Sequence, residues 1–430
     1  MMIRKYRLVR FSFLLAILLC ALAPAFAQTP RNEKPESVGV SAARLQRINR
    51  LIEQKIKDGK LVNAITLVAR RGKLVHFETF GKADVEADKP LKKDAIFRIY
   101  SMTKPITTLA AMMLYEEGRF QLNDPLYLYL PEFRDVEVYQ ENGQPGGARV
   151  KPRRPISPRD LMSHTAGLTY GAFGDTPVDR QYRAANLLDG SMTLADFSKK
   201  VASLPLLFHP GERWNYGVNT DILGRLVEAL SGVSLDEFFR ERIFKPLGMN
   251  DTAFEVPAAK LDRFPVTYQW DGAGKRVIAD HPGKSRFASP AKFYSGGGGL
   301  VSTASDYLRF CQLMLNGGEL DGVRLLSPKT VQLMTMNHTA QAQKPVAGVA
   351  LGDGAEFGLG YRVIVDAAAN QRVGSSGTID WGGFASTSFF IDPKEQLIGI
   401  LMTQKLPTDN RLTVEFRTAV YQAIIESYLR

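Results

Sequence analysis

The chain has 430 residues, of which 45% are hydrophobic and 23% charged, with a formal net charge of +11 and two cysteines. No run of basic residues is interleaved with aromatics, which removes nucleic acid as an expected partner. Five scattered histidines, with no His-Glu-x-x-His and no Cys-x-x-Cys, leave no expected metal site.

The first residues read as a leader. Arg4, Lys5, Arg7 and Arg10 form a basic start, residues 11–22 are apolar, and Ala25-Phe26-Ala27 is a small-x-small cleavage site. The expected mature chain starts at Gln28 and is periplasmic or secreted, with residues 1–27 as signal peptide. The alternative, an uncleaved anchor, is disfavoured because the apolar run is short for a span of ~20 residues. No stable membrane anchor is then expected after cleavage. Leu19 precedes Cys20 where a lipoprotein signal needs a small residue. Cleavage removes four basic residues and no acidic ones, so the +11 falls to +7. Only Cys311 survives, which excludes an internal disulfide.

After the leader, Ser41 is placed to cap a helix with an apolar face of Leu45, Ile48, Ile52 and Ile56. Residues 64–69 and 74–77 read as strands joined by the turn Arg70-Arg71-Gly72-Lys73. A helix follows from Ser101 through Leu114. Between about 116 and 289 the chain changes character. It has proline-rich connectors such as Lys151-Pro152-Arg153-Arg154-Pro155, helical stretches at 221–230 and 235–243, and little strand alternation. From 290 onward the sheet pattern returns. Strands are expected at 387–391 and 397–402 around the turn 392–396. A last helix is expected to bury Phe416, Val420, Ile424 and Tyr428. Cys311, within 308–315, reads as a thiol on a buried helix. The expected domain plan is an α/β part from about 35–115 and 290–430, with a mostly helical part from about 116–289. A cleft between them is the default place for a site.

Chemistry concentrates at Phe97-Arg98-Ile99-Tyr100-Ser101-Met102-Thr103-Lys104-Pro105. Residues three apart share a helix face, so Lys104 can reach the Ser101 hydroxyl and take its proton without a histidine. A second Ser-x-x-Lys, Ser289 to Lys292, has no matching company and reads as a loop or cap. Gly374-Ser375-Ser376-Gly377-Thr378 lacks the last glycine of a nucleophile elbow, and His164 reads as a buried structural residue. Ser295-Gly296-Gly297-Gly298-Gly299 is not followed by Gly-Lys-Ser/Thr, so it is not a phosphate loop. Its glycines read as allowing close backbone packing near the cleft.

Three further segments accompany Ser101: Asp160-Leu161-Met162-Ser163-His164-Thr165-Ala166-Gly167-Leu168, Pro210-Gly211-Glu212-Arg213-Trp214-Asn215-Tyr216, and Asp380-Trp381-Gly382-Gly383-Phe384. Together they resemble the serine hydrolases of the β-lactamase and penicillin-binding-protein superfamily, above all the class C β-lactamase-like esterases. The resemblance covers nearly all of residues 35–405. It implies an α+β, β-lactamase/transpeptidase-like fold, with an antiparallel sheet flanked by helices, an inserted helical subdomain and the active site in the cleft between them.

It also implies that Ser101 is acylated, that Lys104 is its proton partner and that Tyr216 is the general base. The backbone N–H groups of Ser101 and Phe384 would form the oxyanion hole, and Trp381, Gly382 and Gly383 the substrate-binding strand. Two departures from the family pattern bear on this. Val218 stands where Tyr-x-Asn would place its amide, and Asn219, one place on, is read as a cap or structural group. Trp381 stands where a β-lactamase has a carboxylate-binding lysine, which favours uncharged esters. The implied function is an exported serine carboxylesterase acting on a small-molecule ester or amide with no metal or organic cofactor. The alternatives are a class C-type β-lactamase, a D-amino-acid peptidase or acyltransferase, and a catalytically silent protein binding cell-wall ligands.

Overall fold

The computed structural model describes residues 33–142, 147–187, 189–344 and 349–427. The expected leader and Tyr428 lie outside these residues. Eight strands form one antiparallel sheet: β1 Asn63–Arg70, β2 Lys73–Asp84, β3 Lys89–Pro90, β4 Ala355–Phe357, β5 Arg362–Ile364, β6 Ile379–Gly382, β7 Ser388–Asp392 and β8 Leu397–Met402. Their order is β4-β5-β6-β7-β8-β1-β2-β3, so the N-terminal hairpin pairs with the last C-terminal strand at the centre, Ile65 opposite Met402.

Every residue of β1 is buried. Its period of two explains how both faces are used. Ile65, Leu67 and Ala69 enter the main core, while Ala64 and Val68 enter a second core on the other face. Helices α1 Ala42–Lys57 and α6 Asn410–Tyr421 supply that second core with Leu45, Ile48, Ile52, Phe416 and Val420. The Ser41 hydroxyl accepts from the Arg44 amide and caps α1. Ile56 is only half-buried, at the fraying end, and Ile424 lies past the end of α6.

On the opposite face lie α2 Thr103–Glu116 and α5 Ala304–Leu315. Residues 103–114 of α2 are all buried, so this helix is enclosed on every side. It packs on α4 Asn219–Ser231, which with α3 Pro158–Met162 lies in the middle of the chain, where helical segments alternate with long connectors. That middle also holds short strand pairs, Val138–Gln140 with Ala148–Val150 and Thr267–Trp270 with Arg276–Asp280. Three to five residues are too few for an alternation to stand out. Cys311 is fully buried on α5, and burial pushes its thiol well above its ordinary pKa.

One charged cluster sits inside this frame. Asp380 of β6 accepts from Arg362 Nε at 2.7 Å and Nη2 at 2.9 Å, and from Arg417 Nη1 of α6 at 2.8 Å. Both arginines reach the carboxylate out of contact with most solvent.

Candidate active site

The serine turn is built by a residue in an uncommon conformation. Tyr100 has φ +42°, a left-handed setting that a bulky side chain adopts only when its surroundings enforce it. Arg98, two residues earlier, provides the anchor. Its buried guanidinium donates to Asp280 at 2.5 Å, to the Pro265 carbonyl at 2.8 Å and to Gln404 at 3.0 Å, and it lies 3.7 Å from the Phe264 ring centre. The chain then tightens into the 3₁₀ turn Tyr100–Met102 and runs straight into α2. Ser101 is therefore in that turn, two residues ahead of the α-helix itself.

Lys104, on the first turn of α2, is 0% exposed. Its ammonium donates to three oxygens: Ser101 Oγ at 3.1 Å, Tyr170 Oη at 3.1 Å and the Gly297 carbonyl at 2.6 Å. Tyr216 approaches the serine from the other side, its hydroxyl donating to Ser101 Oγ at 2.6 Å. The loop before α4 holds Tyr216 there through its neighbours. The Trp214 amide donates to the Gln343 carbonyl, the Asn215 amide to the His164 carbonyl, and the Asn215 side chain to Leu168 O at 3.0 Å. A Cβ at Gly217 would stand 2.4 Å from that same Leu168 oxygen, so only glycine lets the loop close. The Tyr216 ring is packed against Trp381, His164 and Tyr170, with centroids 5.3, 5.0 and 5.4 Å away.

The third segment arrives at the end of β6. Trp381 and Gly382 close the strand, and Gly383 leads into a turn. A Cβ on Gly383 would lie 2.4 Å from the Ile99 carbonyl, so the turn abuts the serine segment directly. The exposed Phe384 ring meets Tyr100 edge-on, centroids 6.0 Å apart. Among the described residues the Phe384 amide has no acceptor. Ser101, Lys104, Tyr216, Trp381, Gly383 and Phe384 thus converge from three separate stretches of sequence.

His164 lies outside this hydrogen-bonded set. Its Nδ1 accepts from the Asn219 amide at 2.9 Å. Burial, then the nearby Lys104 charge, hold its imidazole well below the usual pKa. Asn219 is fully buried at the start of α4 and is not its cap, a place taken by Val218 with no side-chain bond. Ser289 and Lys292 sit in an exposed loop.

Two residues that sequence reading missed complete the surroundings. Tyr170 shares Lys104 with Ser101. Asp221, on the first turn of α4, accepts from Ser295 Oγ at 2.5 Å and from the Gly297 amide at 3.0 Å. Burial raises the Asp221 carboxyl above its usual range, against the opposing pull of Lys104. Burial and then the Asp221 charge push the Tyr170 phenol far up. A carboxylate inside the apolar run of α4, five residues after Tyr216, was the available signal for Asp221. Tyr170, an aromatic among aromatics, gave none.

Gly297 joins these groups, holding Asp221 by its N–H and Lys104 by its carbonyl. A Cβ there would stand 2.4 Å from Asp221 Oδ2 and 2.8 Å from Tyr170 Oη. Gly297→Ala is expected to displace the carbonyl that fixes Lys104 and to lower ester kcat about 10²-fold, a cost typical of a small misplacement. Steady-state kinetics beside an unchanged circular dichroism spectrum would show it.

Among the described residues no three His, Cys, Asp or Glu side chains form a metal-binding group, and no helix is long and apolar enough to cross a membrane. The arrangement sets one serine hydroxyl within hydrogen-bond reach of both a lysine and a tyrosine, beside the Phe384 amide.

Known proteins share both sequence and architecture. The chain is 30% identical over 410 residues to Esterase EstB of Burkholderia gladioli, covering 90% of this chain and 98% of that one. It is 36% identical over 368 residues to Protein Rv1367c of Mycobacterium tuberculosis, covering 84% and 90%. Among solved structures, EstCE1, described as a hydrolase with promiscuous acyltransferase activity, superposes with a TM-score of 0.75 at 29% identity, covering 88% of this chain and 99% of that one. The beta-lactamase family profile matches residues 48–422. With that match spanning most of its length, the chain belongs to the beta-lactamase family of serine hydrolases.

Proposed function

We propose that the protein is an exported serine carboxylesterase working through an acyl-enzyme on Ser101. The observation that carries this reading is the serine oxygen bonded at once by Tyr216 Oη, 2.6 Å away, and Lys104 Nζ, 3.1 Å away. The name of the Burkholderia gladioli relative points the same way.

In the proposed cycle the Tyr216–Lys104 pair reacts in the form that is short of one proton, so it takes the proton of Ser101 as Oγ attacks the ester carbonyl carbon. The carbonyl oxygen takes the negative charge and is held by the Ser101 and Phe384 amides. The intermediate collapses, the bond to the alkoxide breaks, and the pair returns the proton to the leaving alcohol. A water then attacks the acyl-enzyme. It gives one proton to the same pair, and the acid departs as Ser101 recovers its hydrogen. An alcohol in place of that water would give acyl transfer, the side activity in the description of EstCE1.

Substrate choice rests on Trp381. It lines the site with an indole beside Tyr216 at the position where a cation would bind the carboxylate of a β-lactam. Uncharged esters are therefore the expected substrates. On purified protein lacking residues 1–27, kcat/KM for p-nitrophenyl butyrate should far exceed that for nitrocefin. Equal or greater turnover of nitrocefin would replace the esterase reading by a β-lactamase. Export is supported by the basic start, the apolar run and Ala25-Phe26-Ala27. N-terminal sequencing of envelope protein should return Gln28.

A further inference from the structure

A cavity of about 780 Å³ lies between the segments 154–165 and 337–342, and none of Ser101, Lys104, Tyr216 or Trp381 lines it. Its wall is charged in an unbalanced way. Asp160 is the only acid in the lining, and it is already saturated. It accepts from the Ser157 amide at 2.9 Å, Ser157 Oγ at 2.7 Å, Thr165 Oγ1 at 3.0 Å, and both terminal nitrogens of Arg154 at 2.6 and 2.8 Å. Arg154 and Asp160 thus cancel each other within the wall.

Arg159 has no such partner. Its guanidinium forms no ion pair among the described residues, and the one hydrogen bond it donates there is a long one, 3.5 Å to the His338 carbonyl. Burial, relieved in part by a bond to the Leu333 carbonyl, holds the His338 imidazole below its usual pKa, and the Arg159 charge lowers it further. The histidine therefore adds no charge of its own near neutral pH. The cavity lining holds one uncompensated guanidinium together with the neutral side chains of Asn337 and Gln341.

A fixed positive charge in a concave wall concentrates its field in the hollow. A guanidinium offers paired N–H groups at the spacing of carboxylate or phosphoryl oxygens. We propose that this cavity is a binding site for a small oxyanion, a carboxylate or phosphoryl group, separate from the catalytic serine. Its position gives it access to the chemistry. Ser163 and Thr165 line it on either side of His164, whose ring packs on Tyr216, and Pro210 and Gly211 line it at the start of the loop that carries Tyr216.

The test uses the protein lacking residues 1–27, at constant ionic strength set with chloride. Melting temperature is followed against inorganic phosphate and, separately, citrate. At least one of the two should raise it saturably, and the one that acts more strongly identifies phosphoryl or carboxylate as the preferred group. The shift should persist after Ser101 is blocked with a fluorophosphonate, which makes this outcome independent of the esterase reading. Arg159→Gln should weaken the apparent affinity about tenfold or more, the size of a charged hydrogen bond. Ala340→Trp, at an exposed lining residue, should narrow the cavity and weaken the shift while Arg159 remains. No saturable shift with either anion would overturn the proposal. So would equal shifts in all three proteins, or a shift undiminished in Ala340→Trp, since both mean adventitious anions on a basic surface.

Discussion

Ser101→Ala will give a folded protein that takes up no fluorophosphonate and turns over no ester, because no acyl-enzyme can form. Tyr216→Phe is the sharper probe. It removes one hydroxyl, 2.6 Å from Ser101 Oγ, and leaves the ring packed between Trp381 and His164. Ester kcat is expected to fall 10²–10⁴-fold, the usual range for a lost acid–base group, with little change in melting temperature. Lys104→Met should lose as much activity and some stability, because the Gly297 carbonyl and Tyr170 lose a buried donor. His164→Ala opens a cavity among Trp214, Tyr216 and Phe357 and should lower stability, yet its folded fraction should still label. Circular dichroism, labelling and kcat on the four variants decide the matter. A well-folded His164→Ala that fails to label, next to a fully active Tyr216→Phe, would transfer the base to histidine.

Asp380→Ala is expected to cost about 3–5 kcal/mol in urea unfolding, the usual penalty for breaking a buried ion pair. The loss strands Arg362 and Arg417, which together make three hydrogen bonds to that carboxylate. A change below about 1 kcal/mol would mean that water or a neighbour replaces the carboxylate. The pH dependence has a definite sign. Burial pushes the Asp380 carboxyl up, but the charge and hydrogen bonds of Arg362, joined by Arg417, outweigh it and hold the pKa below the ordinary 3.8. A carboxyl depressed in the folded state stabilises fully above its unfolded value and loses that contribution as pH falls through the folded one. The wild-type advantage over Asp380→Ala should therefore be constant from pH 7 to about 5 and shrink only below about 4.

Spacing alone pointed to Ser101 and Lys104, three apart at a helix start, while Tyr216 and Trp381 were proposed only through the resemblance of their segments to the family's. Helix α1 was legible from its cap and its apolar stripe, and β1, β7 and β8 from apolar runs between turns. Strands β4 and β5 were not, since three residues carry too little pattern. Tyr170 and Asp221 were hidden for a different reason. Their importance is a matter of proximity across the fold: Tyr170 is 66 residues from Lys104, and Gly297 is 76 residues from Asp221. The left-handed Tyr100 was equally invisible, because nothing in an Ile-Tyr-Ser sequence calls for positive φ.

The pairing of β1 with β8 has a consequence for how the chain is made. The Gln404 amide bonds the Asn63 side chain 341 positions away, and the strands beside them are joined along six registered residue pairs. During synthesis β1 and β2 emerge early, yet β1 has one open edge until nearly the whole polypeptide exists. Contacts this distant in sequence form slowly, and an open apolar strand edge invites association with other chains. The sheet thus behaves as a clasp whose two halves are delivered at opposite ends of translation. A chain ending before residue 397 would keep Ser101, Lys104, Tyr216 and Trp381 and still lack the strand that joins the halves.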